Sequence, residues 1–156
     1  MKTALLFGGL ALVLATVNVS IARKEALLAN GTVVLVELAP VDPRSLIQGD
    51  YMRLEYELAS NSEASWPRDG RMVVRLDERS IARFVRRDDG SPLAAGERLL
   101  QYRRRARRIR VGSDAFFFQE GHAARYANAK YGELRVDRSG GSVLVGLRDT
   151  ALQPLR

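Results

Sequence analysis

Few residues in this chain could take part in catalysis. Among 156 residues there is no cysteine and a single histidine, His122, so thiol nucleophiles, iron–sulfur clusters and Cys/His zinc sites lack their ligands. His122 could act as a base or a ligand, but a lone histidine is more typical of a solvent-facing or helix-capping residue. Asp88 and Asp89 lie in a turn sequence, where Asp is common because it accepts local amide hydrogens. We therefore expect no metal, no cofactor and no enzymatic activity.

The second chemically distinctive feature is a run of arginines at residues 103–110. Six of its eight positions are arginine, namely Arg103, Arg104, Arg105, Arg107, Arg108 and Arg110. Nucleic-acid binding usually adds aromatic residues for base stacking, and only Tyr102 adjoins the run, so we expect no nucleic-acid partner. Two interpretations stay open. The arginines either pair with carboxylates and protect a sheet edge, or contact anionic lipid headgroups or a protein partner.

The composition is that of one folded, basic domain. Hydrophobic residues make up 46% and charged residues 28%, and Lys+Arg 25 against Asp+Glu 18 give a net charge of +7. This length has room for one domain of ordinary size. The hydrophobic content is too high for a disordered chain, and the absence of cysteine excludes a disulfide scaffold.

The N-terminus predicts a membrane segment. Residues 4–22 carry no charge and are flanked by Lys2 and by Arg23 and Lys24. As a helix they would span roughly 28 Å, close to the hydrocarbon thickness of a bilayer. The alternative is a cleaved signal peptide, since the small-x-small sequence at residues 20–22 offers a cleavage site. Either interpretation exports the rest of the chain, so we divide it into an anchor, 1–24, and a domain outside the cytoplasm, 25–156.

The domain has the pattern of a mainly β protein. β-Branched and alternating segments at 32–38, 50–58, 72–76, 81–86, 97–111, 134–136 and 143–147 predict strands separated by turn sequences. Residues 61–70 have a loop composition, with Trp66 expected against the domain surface. The alanine-rich segment 119–130 predicts a short helix. We therefore expect a mainly β (α+β) fold, with one antiparallel sheet or barrel-like domain after the N-terminal helix.

The most distinctive stretch is residues 40–56. It contains the sequence Gly-Asp-Tyr-x-x-Leu-x-Tyr, formed by Gly49, Asp50, Tyr51, Leu54 and Tyr56, and it is preceded by Asp42-Pro43-Arg44-Ser45-Leu46. The motif resembles the one that names the GDYXXLXY family of membrane-anchored proteins. The later segments 131–137, which include Tyr131 and Glu133, and 145–149 are also similar to that family.

The resemblance implies a bacterial protein held in the inner membrane, with a periplasmic domain of no established activity. It also implies a companion role beside a multi-spanning membrane protein. Physically, the motif suits a rigid turn followed by a core strand, because Pro43 fixes its φ and Gly49 permits a positive φ. The functional alternative is a binding surface for a partner or peptide, lined by Asp42, Arg44, Asp50 and Tyr51.

A weaker resemblance concerns an enzyme. The sequence Ser45-Leu46-x-x-Gly49-Asp50 is similar to a stretch of the type I signal peptidases, which are membrane-anchored β-rich Ser-Lys hydrolases. The position of their nucleophilic serine is Val41 here, and the lysine beyond the anchor region is Lys130. A dyad of Ser45 with Lys130 would be a substitute arrangement. We therefore expect an accessory or interaction module of a membrane complex, with a signal-peptidase-like hydrolase and a cleaved periplasmic binding protein as alternatives.

Overall fold

A computed structural model describes residues 2–39, 47–48, 51–59, 66–105 and 108–155. Several residues named above lie outside these ranges, namely Asp42, Arg44, Ser45, Gly49, Asp50 and Arg107, as does the side chain of Arg108. The predicted turn before the GDYXXLXY motif and the predicted contact surface around it are therefore outside the described residues.

The chain begins with one long helix, α1, at Lys2–Asn30. The segment Leu6–Asn30 is long and apolar enough to cross a membrane. No residue in its most apolar stretch is buried against the domain. A cleaved signal sequence has the same length and composition. The helix continues past Arg23 and Lys24, because its last turns pack on the domain, where Leu27 is buried.

Eleven strands, a 3₁₀ turn and a short helix follow α1 in the described residues. In chain order they are β1 Thr32–Glu37, β2 Ile47–Gln48, β3 Tyr51–Arg53, the 3₁₀ turn Glu57–Ala59, β4 Asp69–Leu76, β5 Ala82–Arg87, β6 Glu97–Arg105, β7 Arg108–Val111, β8 Ala115–Phe117, α2 Ala123–Tyr126, β9 Tyr131–Val136, β10 Ser142–Arg148 and β11 Pro154–Leu155.

The strands form three antiparallel sheets that curl into a half-barrel. Their orders are β1-β9-β10-β11, β2-β3-β8 and β5-β4-β6-β7. Main-chain hydrogen bonds join the sheets: the N–H of Leu35 donates to the Ser80 carbonyl, and the N–H of Gln101 donates to the Gly140 carbonyl. The mainly β prediction and the antiparallel prediction are confirmed.

One principal core lies inside the half-barrel. Buried side chains from all three sheets contact one another, including Val34 of β1, Met52 of β3, Leu100 of β6 and Leu134 of β9. Along β5 and β6 buried residues alternate with more exposed ones, as expected where one sheet face is solvated. β1 and β4 each contain three consecutive buried residues, so both of their faces are covered there. The β4–β5 and β9–β10 turns are closed by Asp77 and Asp137, whose carboxylates accept main-chain N–H groups.

The predicted strand over residues 50–58 is much shorter than expected. Met52, Leu54, Tyr56 and Leu58 are all buried, as the alternation predicted, but β3 ends at Arg53. Beyond it the main chain changes partner: the N–H of Leu54 donates to the Asp114 carbonyl, and Leu38 bridges Tyr56. The alternation of apolar and polar residues therefore predicts correctly which side chains are buried, but the segment is not one continuous strand.

Two further predictions need correction. Trp66 was expected against the surface, but it is buried between Phe84 and Tyr102, with ring centroids 5.6 and 5.0 Å away. The predicted loop at 61–70 also ends early, because β4 begins at Asp69 to pair with β6.

The helix predicted over 119–130 exists, but it is a single turn, α2.

Candidate functional site

The described residues of the GDYXXLXY motif divide between the core and an aromatic pair. Leu54 and Tyr56 are buried in the core, and the Tyr56 hydroxyl donates to the Ser113 carbonyl at 3.0 Å. Burial is the main cause that raises the pKa of the Tyr56 phenol, and the charge of Asp114 adds to it. Tyr51 is half-buried, and its ring centroid lies 5.7 Å from that of Phe117. Tyr51 is thus the described motif residue nearest to a solvent-exposed surface.

The later residues of the resemblance have packing and pairing contacts. Tyr131 is buried in a small cluster with Leu35 and Ile81. The Glu133 carboxylate accepts a hydrogen bond from Nε of Arg148 at 2.8 Å across the β9–β10 pair. Both contacts hold β9 in the sheet.

The described arginines of the run lie in β6 and β7, which pair as a hairpin, and β7 is an edge strand. Arg103 forms an ion pair with Asp69 at 3.7 Å, and Arg110 forms one with Asp114. These pairs fit the interpretation of arginines protecting a sheet edge. Not every arginine of the run is paired in this way, because in the described part of the chain Arg105 has no ion pair.

Arginines of this hairpin face a large open cavity beside α1, which we call the basic cleft. It has a volume of about 830 Å³, and its charged lining consists of Lys24, Arg71, Arg103, Arg105, Arg110, Asp69 and Asp114. The strand register explains this arrangement. Asp69 faces Arg103 across β4 and β6, and Arg103 faces Arg110 across β6 and β7, and directly opposed residues project from the same face of a sheet.

Positive charge predominates in the basic cleft. Five cationic side chains and two carboxylates line it among the described residues, an excess of three positive charges. Arg103 and Arg110 are direct cross-strand neighbours, and like charges in that position repel each other. In the described ranges Lys24 and Arg105 have no carboxylate partner, so this cleft is suited to an anion.

Tyr102 has an unsatisfied hydroxyl on the core face of β6, the face opposite to that of Arg103 and Arg105. The side chain is only 3% exposed, and its hydroxyl has no hydrogen-bond partner among the described residues. Burial raises the pKa of this phenol, with Arg87 and Arg104 opposing the effect. The ring lies over Gly70 of β4, where a Cβ would be 2.6 Å from the hydroxyl.

An apolar groove adjoins the basic cleft. Its volume is about 390 Å³, and it is lined by Ala115, Phe116, Phe117, Val143 and Leu144 together with Gly112, Ser113 and Ser142. The last three residues also line the basic cleft. Phe117 is 74% exposed at this groove, whereas a phenylalanine is usually buried. A charged region and an apolar region therefore share one wall.

Lys130 is held as a cation by Glu37. Its Nζ lies 2.9 Å from a Glu37 carboxylate oxygen, and the hydrogen bond to that carboxylate is the main cause that raises the Lys130 pKa. The Glu37 pKa is lowered, chiefly by the same bond. A lysine base needs a lowered pKa, so Lys130 lacks the property that a Ser-Lys dyad requires.

His122 and the aspartate pair have local structural contacts. His122 precedes α2 at its N-cap position, without a side-chain capping bond. Asp88 and Asp89 accept hydrogen bonds from the N–H groups of Gly90 and Ser91, as their turn sequence indicates. No group of three His, Cys, Asp or Glu side chains within the described ranges is placed to hold a metal ion.

Arg103, Arg105 and Arg110 stand out in the sequence as members of the cleft, whereas Lys24 and Arg71 do not. Pairing the predicted strand at 72–76 with the arginine strand would place Arg71 near them. Lys24 belongs to the predicted anchor, and its place in the cleft depends on the packing of α1.

The structure defines a class of protein: a helix of membrane-spanning length that leads directly into an antiparallel β half-barrel with a basic cleft beside the helix. The model of the GDYXXLXY protein family matches residues 13–147, and the chain belongs to that family. Searches of curated proteins and of solved structures found no match.

Proposed function

We propose that this protein is a single-pass, membrane-anchored accessory module of the bacterial inner membrane, with its β domain in the periplasm. Its role is to contact a multi-spanning membrane protein beside it. The resemblance to the GDYXXLXY family implies membrane anchoring, and the exposed apolar side chains of α1 support a retained anchor. No catalytic step is part of this proposal.

The observation that carries the proposal is the short, rigid junction between α1 and the domain. The eight residues 23–30 stay helical, and Gly31 alone separates them from β1. Arg135 donates to the Gly31 carbonyl at 3.2 Å, and Leu27 is buried against the domain. Eight helical residues rise about 12 Å, so a retained anchor holds the domain at the membrane surface.

Fractionation of the full chain tests the anchor. We expect the uncleaved protein to stay with membranes through high-salt and alkaline washes and to dissolve in detergent. The variant Leu10→Arg/Leu14→Arg should become extractable by alkali, because each arginine costs about 3 kcal/mol at the centre of a span. The control Leu28→Arg/Asn30→Arg adds the same charge beyond the apolar stretch and should remain anchored. Release of a chain that lacks the leader would instead establish the cleaved periplasmic form.

Protease accessibility and crosslinking test the location and the partner. Protease added to spheroplasts should digest the β domain, and protease added to intact cells should not. A photocrosslinker at Val17 in the helix should give a protein adduct in native membranes. The same crosslinker at Arg79, in the β4–β5 turn, should not. Adducts with lipid alone at Val17 would contradict the companion role.

A further inference from the structure

The basic cleft and the apolar groove together have the chemistry of a site for one amphiphilic anion. We propose that they bind an anionic phospholipid, with its phosphate between Lys24 and Arg105 and part of its apolar body against Phe117. This inference rests on the proposed anchor, because the anchor brings the cleft to the lipid.

The position of Lys24 relates the cleft to the bilayer. Lys24 is the second residue after the uncharged stretch 4–22, so it lies about 3 Å along the helix axis from the end of that stretch. The headgroup region of a bilayer extends roughly 5–8 Å beyond the hydrocarbon on each side. A side chain at this depth lies among lipid phosphates, and Lys24 lines the cleft.

The charges of the cleft select for an anion. Its described lining has three more cationic than carboxylate side chains, and the opposed pair Arg103 and Arg110 is stabilised if a negative group lies nearby. Asp69 and Asp114 already pair with these two arginines, and Asp88 pairs with Arg71 at 2.8 Å. Lys24 and Arg105 have no such partner within the described ranges, so they are the cations available to a ligand.

The apolar groove favours a lipid over free phosphate. It shares Gly112, Ser113 and Ser142 with the basic cleft, so one molecule can contact both regions. Phe117 is exposed at the groove and touches Tyr51, and aromatic side chains are common at membrane interfaces. Inorganic phosphate has no group that would use this surface, whereas a phospholipid does.

Native mass spectrometry of the full chain provides the test. The protein is transferred from detergent containing equal amounts of phosphatidylglycerol and phosphatidylcholine, and the bound lipids are counted by class. We expect a preference for phosphatidylglycerol. The variant Lys24→Gln/Arg105→Gln should reduce that preference about 30-fold, since a basic residue at a membrane surface contributes roughly 5-fold in affinity.

A matched variant controls for general surface charge. Arg23→Gln/Arg79→Gln also removes one cation next to the anchor and one from the domain, but neither residue lines the cleft. It should bind lipid as the wild type does. Equal losses in the two double variants would show attraction by overall charge alone and would overturn the proposal.

Two further arms distinguish a lipid from a free anion. Phe117→Ser should weaken phosphatidylglycerol binding and leave the binding of glycerol phosphate unchanged, whereas Leu93→Ser, at an exposed leucine outside the groove, should change neither. Displacement of the lipid by inorganic phosphate at equal concentration would overturn the lipid assignment.

Failure of this inference and failure of the proposed function give different results. An intact, membrane-integral chain whose two double variants bind lipid equally would refute the lipid site alone. Recovery of a soluble chain lacking its leader would refute the anchor, and the intact mass of the same samples reports this directly.

Discussion

Two buried tyrosines of this protein differ in whether the phenol hydroxyl has a hydrogen-bond partner. The Tyr56 hydroxyl donates to the Ser113 carbonyl, whereas the Tyr102 hydroxyl has no acceptor in the described part of the chain. Both side chains are buried. The contrast separates a tyrosine whose hydroxyl stabilises the fold through a hydrogen bond from one that contributes only the packing of its ring.

Replacing each tyrosine by phenylalanine tests this contrast. Tyr56→Phe should lower the free energy of unfolding by about 1–2 kcal/mol, because the Ser113 carbonyl loses its donor. Tyr102→Phe should leave the stability of the lipid-free protein unchanged or raise it by about 1 kcal/mol, because it removes an unsatisfied buried group. Urea unfolding of the full chain in detergent measures both. Equal destabilisation by the two variants would show that the Tyr102 hydroxyl is already bonded.

Glu97 makes stability depend on acid pH. Its buried carboxylate accepts hydrogen bonds from the Ala94 N–H and from Arg75, and Arg86 lies 4.0 Å away. The Ala94 bond is the main cause that lowers the Glu97 pKa below its ordinary 4.5; burial opposes the shift, and Arg75 adds to it.

A lowered pKa in the folded state means that the ionised carboxylate stabilises the fold above the unfolded pKa of about 4.5. This contribution is lost as pH falls from there through the folded pKa. The wild type should therefore lose thermal stability more steeply below pH 4.5 than Glu97→Gln, which should be less stable at neutral pH. Parallel pH profiles for the two proteins would contradict this role of Glu97.

At the scale of elements, the junction between α1 and β1 has the greatest consequence. The Gly31 N–H donates to the Leu27 carbonyl at 2.8 Å, and Arg135 of β9 bonds the Gly31 carbonyl. A Cβ at Gly31 would lie 2.4 Å from the Leu27 oxygen and 3.1 Å from the Arg135 Cβ. The helix and the sheet can approach this closely only because residue 31 is glycine.

Gly31→Ala should therefore loosen the contact between the helix and the domain. We expect a loss of about 1–3 kcal/mol in stability from the steric conflict and faster proteolysis within residues 23–31. Asn30→Ala is the control, since the Asn30 side chain is exposed and bonds only the Ala26 carbonyl of its own helix. Limited proteolysis in detergent distinguishes the two variants, and unchanged cleavage in Gly31→Ala would mean that the junction tolerates a side chain.

At the scale of the whole molecule, the three sheets share one core. Trp66 is the only tryptophan, and it contacts Phe84 of β5 and Tyr102 of β6. The same cluster includes Val34 of β1 and Met52 of β3. A perturbation of one sheet is therefore expected to reach the others.

This shared core predicts cooperative unfolding of the β domain. In urea, the fluorescence of Trp66 and the β-sheet circular dichroism should follow the same transition, as expected for a single domain of this size. The detergent-bound helix α1 is expected to remain folded and to contribute a constant signal. Two separated transitions would show that the β1-β9-β10-β11 sheet unfolds independently of the sheet around Trp66.

The sequence by itself determined the features that depend on local pattern. The uncharged stretch 4–22 required an apolar environment, and the alternation of residues 52–58 established which side chains would be buried. The strand pairs on either side of Asp77 and Asp137 followed from turn chemistry. The GDYXXLXY motif was sufficient to indicate the family that the match over residues 13–147 shows.

Only the tertiary structure decided the features that depend on strand register and on packing between elements. The loop composition around Trp66 indicates exposure, whereas its burial depends on contacts with Phe84 of β5 and Tyr102 of β6. The arginine run became part of a cleft because the register opposes Arg103 to Arg110 and Asp69, and because the end of α1 brings Lys24 beside them. A sequence records which residues are neighbours along the chain, but the charge of a cleft is summed over residues that only folding brings together.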